Sequence, residues 1–178
     1  MTETGAPPRA LIVAAAVVAL ALAAVAGVLG VLSRGADEPA GDGPLPLVSI
    51  PAPQAGSPQC RDLVAAAPTE LESSGDRLGR RELAKPAPPA AIAWGQDSPV
   101  VLRCGLERPP ELTRTSSLRQ INGVRWLQVP GDGSATWYVV DRDVYVALTV
   151  PAGTGTGPLQ QISDTVAGAL RPVPLRFG

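Results

Sequence analysis

The chain has 178 residues, enough for one globular domain with appendages, and its 15 basic residues nearly cancel its 16 acidic ones. Lys85 is the single lysine, so the balance offers no polybasic surface, and no nucleic-acid partner is expected. Without histidine, Ser-His-Asp and Cys-His catalysis and histidine metal sites are closed, and two cysteines cannot build a four-thiolate zinc site.

The first element is the run "ALIVAAAVVALALAAVAGVLGVL", 23 uncharged residues at positions 10–32. As a helix it would be about 34 Å long, against a hydrocarbon core of roughly 30 Å. It reads as a transmembrane helix behind a cytoplasmic tail at 1–9. A cleaved signal peptide is the alternative, since "AVA" at 24–26 offers small residues to a peptidase, but its apolar region is usually only about 7–15 residues. Arg9 and Arg34 leave the charge rule for orientation close to a tie. Both cysteines follow the span, which suits an oxidising compartment, so the C-terminal domain is expected outside the plasma membrane.

Residues 33–46 are rich in Gly, Pro and acids and read as a flexible tether, with the domain proper at 47–178. "LVSI" at 47–50 suggests an edge strand. Ser57 and Pro58 suit the cap and first position of a helix whose apolar face carries Cys60, Leu63, Val64, Ala67 and Leu71, with Pro68 ending or kinking it. Residues 73–96 read as mostly irregular, with a short strand around Arg81 to Leu83. "VVLRC" at 100–104 reads as a central strand, with Val100, Leu102 and Cys104 on one face. A disulfide between Cys60 and Cys104 is therefore expected, with a free or redox-active thiol as the alternative.

Asn122-Gly123 predicts a two-residue hairpin in which Ile121 faces Val124, Arg119 faces Trp126, Leu118 faces Leu127 and Gln120 faces Arg125. A turn at 131–134 leads to two further strands joined near Asp141, Arg142 and Asp143. Gly157 and Pro158 open a last helix with Leu159, Ile162, Val166, Ala169 and Leu170 on one face. The expected fold is α+β: a mainly antiparallel sheet of about five or six strands with two helices on one face, preceded by one transmembrane helix.

In this order, the residues "SPQCRDLVAA", "VVLRCG", "NGVRWLQVPG", "TWYVVDRDVYVALTVP" and "GTGPLQQISD" resemble an actinobacterial family of single-span, alanine- and proline-rich proteins that carries a domain of unknown function. The resemblance covers roughly residues 46–170. It implies an extracytoplasmic domain with a pair of cysteines, and it carries over no catalytic residue.

Chemistry then rests on single residues. Asp141 and Asp143 are a carboxylate pair only if both face one cleft; with Arg142 solvated between them they read better as a turn. Calcium ligation by Asp132, Asp141 and Asp143 lacks an EF-hand spacing, and no metal or cofactor is expected. Trp137 reads as core filler. Trp126, beside Arg119 on the face expected to be free of helices, forms with Arg119 and Gln128 the candidate binding patch.

The expected protein is a single-pass plasma-membrane protein, held through residues 10–32, whose non-catalytic outer domain binds an envelope protein or a cell-wall component. An envelope enzyme using carboxylates and a structural subunit acting through its transmembrane helix are the alternatives.

Overall fold

The computed structural model describes residues 43–177. The expected span at 10–32 lies outside them, and among the described residues no helix is long and apolar enough to cross a membrane.

Helix α1 (Pro58–Ala66) starts where its cap residue requires: the Ser57 hydroxyl accepts the Cys60 amide at 3.2 Å, and Pro58 follows, where no donor is needed. It ends before Pro68, so Leu71 is not a helix residue; it is buried instead from the first strand. Eight strands follow: β1 (Glu70–Ser73), β2 (Asp76–Arg81), β3 (Ala91–Trp94), β4 (Val100–Leu106), β5 (Leu118–Ile121), β6 (Val124–Gly131), β7 (Ser134–Val139) and β8 (Tyr145–Pro151). Helix α2 (Gly157–Ala169) completes the domain. The strands form one antiparallel sheet in the order β1-β2-β3-β4-β8-β7-β6-β5.

Among the described residues the fold is α+β with two helices and an antiparallel sheet, but the sheet has eight strands, not five or six. The added strands come from residues 70–94, which run from the end of the expected helix face at Leu71 into the segment 73–96, expected to be mostly irregular apart from a short strand around Arg81 to Leu83. Ser74 (φ 52°) and Gly75 (φ 94°) make a two-residue turn with both φ values positive, which closes the β1–β2 hairpin. "ELES" and "DRLGRR" hold one leucine each, and their buried positions include Ser73 and Arg81, so no apolar alternation announces them. The edge strand expected at 47–50 is absent, and Val48 (77% exposed) and Ile50 (43%) lie on the surface. Among the described residues the pairing nearest to it is a single parallel bridge from Leu45 to Leu83, because prolines at 44, 46 and 51 remove the donors a ladder needs. The last residues of the expected tether thus belong to the folded domain. Arg81 reinforces this join by donating to the Gly43 carbonyl at 3.0 Å.

The sheet has two covered faces. On the inner face Val100, Leu102 and Cys104 of β4, Val146 and Leu148 of β8, Val139 of β7 and Trp126 of β6 pack with Cys60 and Leu63 of α1 and Ile162 and Val166 of α2. On the outer face Leu127, Tyr145 and Ala147 meet Leu112 from the β4–β5 loop and the partly buried Leu175 and Phe177 of the C-terminal segment. Arg114 lies over the Phe177 ring and Arg176 over Tyr145, each 5.7 Å from the centroid, fastening that segment. Burial on both sides explains why β4 and β8 read as near-continuous apolar runs.

Gly105 marks a bulge in β4, with φ +85°. A Cβ there would lie 2.2 Å from the Ala55 nitrogen, and its carbonyl accepts the Gln54 amide at 3.0 Å. Gly105→Ala is therefore expected to destabilise the domain by about 2–5 kcal/mol, combining left-handed strain with overpacking. Urea unfolding checks this; a loss below about 0.5 kcal/mol, the scatter of neutral surface changes, would contradict it.

Candidate functional site

Cys60 and Cys104 are joined, with their Cα atoms 5.6 Å apart, and both are fully buried. No free cysteine remains, so neither sulfur is available as nucleophile or metal ligand.

The two carboxylates do not share a cleft. Asp141 is buried: its Oδ1 lies 2.8 Å from Arg142 Nη1, and its Oδ2 accepts the Arg125 amide at 3.2 Å. Arg142, expected in solvent, is only 2% exposed. Its guanidinium also donates to the Asp141 carbonyl at 3.0 Å and the Gly123 carbonyl at 3.3 Å, while Nε has no hydrogen-bond partner. The residue enters the interior because the C-terminal segment folds over it: Arg142 bridges Pro172, and Val173 donates to the Asp141 carbonyl at 2.9 Å. Asp143 is exposed and faces a different depression, between Gln59 and Asp62 of α1 and the end of α2. Asp132 sits in the β6–β7 turn, and among the described residues no group of three His, Cys, Asp or Glu could hold a metal ion.

The tryptophans exchange the roles expected of them. Trp126 is fully buried; its indole donates to Ser163 Oγ of α2 at 2.9 Å, and that hydroxyl donates to the Leu159 carbonyl at 2.7 Å. Arg119, Trp126 and Gln128 do share a face by register, but it is the face that α2 covers. Arg119 and Gln128 remain exposed at its margin. Trp94 is also fully buried and donates to the Pro68 carbonyl at 2.9 Å. Trp137, expected as core filler, is instead the partly exposed tryptophan.

Trp137 lies in a groove of about 500 Å³ between the sheet and the start of α2. Arg119, Gln120 and Ile121 of β5 form one wall, and Thr156, Leu159 and Gln160 the other. The groove keeps its shape because the β5–β6 turn is tied to the helix: Asn122 Nδ2 donates to Asp164 Oδ1 at 2.8 Å. Across the helix, Gln161 Oε1 accepts the Glu72 amide of β1 at 2.7 Å, and a Cβ on Gly157 would lie 2.2 Å from the Glu72 carbonyl. Helix α2 therefore touches both terminal strands of the sheet, closely at β1 and with the groove left open at β5. On the outer face, burial lowers the Arg103 pKa from its ordinary value, and burial followed by the charge of Glu111 raises that of Tyr138.

Because Trp94 and Trp126 are sealed, acrylamide is expected to quench mainly Trp137, and Trp137→Phe to remove most of the quenchable fluorescence. An unchanged quenching slope in that variant would contradict the placement.

These features define a disulfide-fastened α+β domain with an open groove beside the last strand of its sheet. The chain belongs to the family described as Protein of unknown function (DUF3515), which matches residues 18–175. No curated protein and no solved structure matches it.

Proposed function

We propose that the protein is a membrane-anchored, extracytoplasmic binding domain: residues 10–32 hold it in the plasma membrane, and the Trp137 groove engages an envelope partner. The groove carries the binding part of this reading, because a half-open indole beside a guanidinium and two carboxamides offers both an apolar surface and orienting polar groups. A buried disulfide supports an oxidising compartment. The length of the apolar run supports an anchor. The family's single-span, actinobacterial character belongs to the same proposal.

The test uses the full-length chain in its own membrane. Intact mass after thiol alkylation, with and without reduction, is expected to show two alkylations only after reduction, with residues 1–32 retained. A photocrosslinking residue at position 119 is expected to yield adducts that one at exposed position 107 does not. Alkylation without reduction would overturn the compartment. Adducts that are equal at both positions, or that vanish only when residues 10–32 are replaced by an unrelated span, would overturn the groove in favour of a subunit acting through its membrane helix.

A further inference from the structure

Resting on the binding reading above, we infer that the groove takes an extended peptide segment, which adds as a strand to the free edge of β5 and sets an apolar side chain over Trp137 with an acidic group beside Arg119. The sheet has two edges, and the fold treats them differently. At β1 the outward Glu72 amide is given to the Gln161 side chain, and the Gly157 backbone closes over the Glu72 carbonyl. At β5 the outward groups have no hydrogen-bond partner among the described residues, and Gln120 lines the groove.

Which groups these are follows from the hairpin. Residues flanking a two-residue turn exchange both main-chain bonds, so Ile121 and Arg119 point their N–H and C=O at β6, while Gln120 and Leu118 point theirs away. Arg125, opposite Gln120, confirms the phase, since its amide goes to Asp141 and its carbonyl to Val140 rather than to β5. The four residues of β5 offer about 13 Å of ladder, room for four or five residues of a peptide. Its inward side chains would alternate along the same face as Arg119 and Ile121, toward Trp137 and Leu159. An edge strand that faces a helix across a groove is the arrangement by which strand addition combines main-chain affinity with side-chain pockets.

Charge selects the occupant. Among the described residues Arg119 is the only ionised one lining the groove, so an acidic residue on the peptide complements it. A second copy of the chain is disfavoured by the same residue, because pairing β5 with itself sets two Arg119 side chains on one short ladder.

The experiment uses the full-length chain in detergent micelles and the peptide acetyl-Thr-Glu-Thr-Leu-Thr-Val-amide as probe. Binding is read by Trp137 fluorescence and by amide hydrogen exchange. The peptide is expected to bind and to slow exchange at Leu118 and Gln120. N-methylation of one alternating set of its amides should weaken binding at least tenfold, and methylation of the other set should leave it within about twofold. Gln120→Pro removes an outward donor while sparing the β6 ladder, so it should cost at least tenfold and clearly more than Gln120→Ala, which loses the carboxamide but keeps that donor. Circular dichroism establishes that both variants are folded. Equal effects of the two methylated sets, unchanged exchange at Leu118 and Gln120, or no binding would overturn strand addition. If chitotetraose perturbs Trp137 and the peptide does not, the groove is a saccharide site and the inference falls. With crosslinks at position 119 intact, any of these results leaves the binding reading standing; loss of those crosslinks removes both.

Discussion

Reduction of the Cys60–Cys104 disulfide is expected to lower the stability of the domain by about 4 kcal/mol. The bond spans a sequence separation of 44 and ties α1 to β4 at the centre of the inner core. In the chain-entropy picture, cutting a loop of that length frees the unfolded chain far more than the native one. The consequence should be local as well as global. Helix α1 has nine residues, fewer than the roughly 12–15 an isolated helix needs, so it holds its shape through packing against α2 and β4. Calorimetry with and without reductant should show a fall in Tm of roughly 10–20 °C for a domain of this size. Exchange at the α1 amides should accelerate before that of β4. A shift below about 2 °C would mean that the bond adds little to what packing already secures.

Arg142→Ala is the second large effect. Removing this guanidinium leaves the Asp141 carboxylate buried with the Arg125 amide as its remaining partner, and truncating one member of a buried pair typically costs about 3–5 kcal/mol. The loss should also reach the groove, because Arg142 holds the Gly123 carbonyl in the β5–β6 turn. Arg142→Lys should recover only part of the stability, since an ammonium cannot reproduce the spread of donors to Asp141 and Gly123. The double change Asp141→Asn with Arg142→Met should be less harmful than Arg142→Ala alone, because it removes the stranded charge along with its partner. Urea unfolding of the four chains gives the comparison. The single variants Asp141→Asn and Arg142→Met complete the double-mutant cycle, and strict additivity between positions 141 and 142 would show that the pair is not coupled.

Much of the fold is legible in the sequence. The Ser57 and Pro58 start of α1, the Gly157 and Pro158 start of α2 and the register set by Asn122-Gly123 all depend on nearest neighbours, and each appears at its expected place. Trp126 shows where such reasoning stops. Side-chain alternation places Arg119, Trp126 and Gln128 together, but it says nothing about which face the helices cover, and here both faces are covered in part. The tryptophan read as exposed is sealed under α2, and the one read as filler lines the groove. Arg142 fails for a related reason: its burial depends on residues 172 and 173 folding back over it, about 30 positions along the chain.

The sequence by itself therefore determined the local features: helix starts, the hairpin turn, the apolar runs of β4 and β8, and the exclusion of histidine chemistry. Only the tertiary structure decided the three strands before β4, the covered face, the buried Asp141–Arg142 pair and the groove at β5. Turns and caps are satisfied within a few residues, whereas short polar strands, buried charges and open edges take their stability from partners distant in the chain.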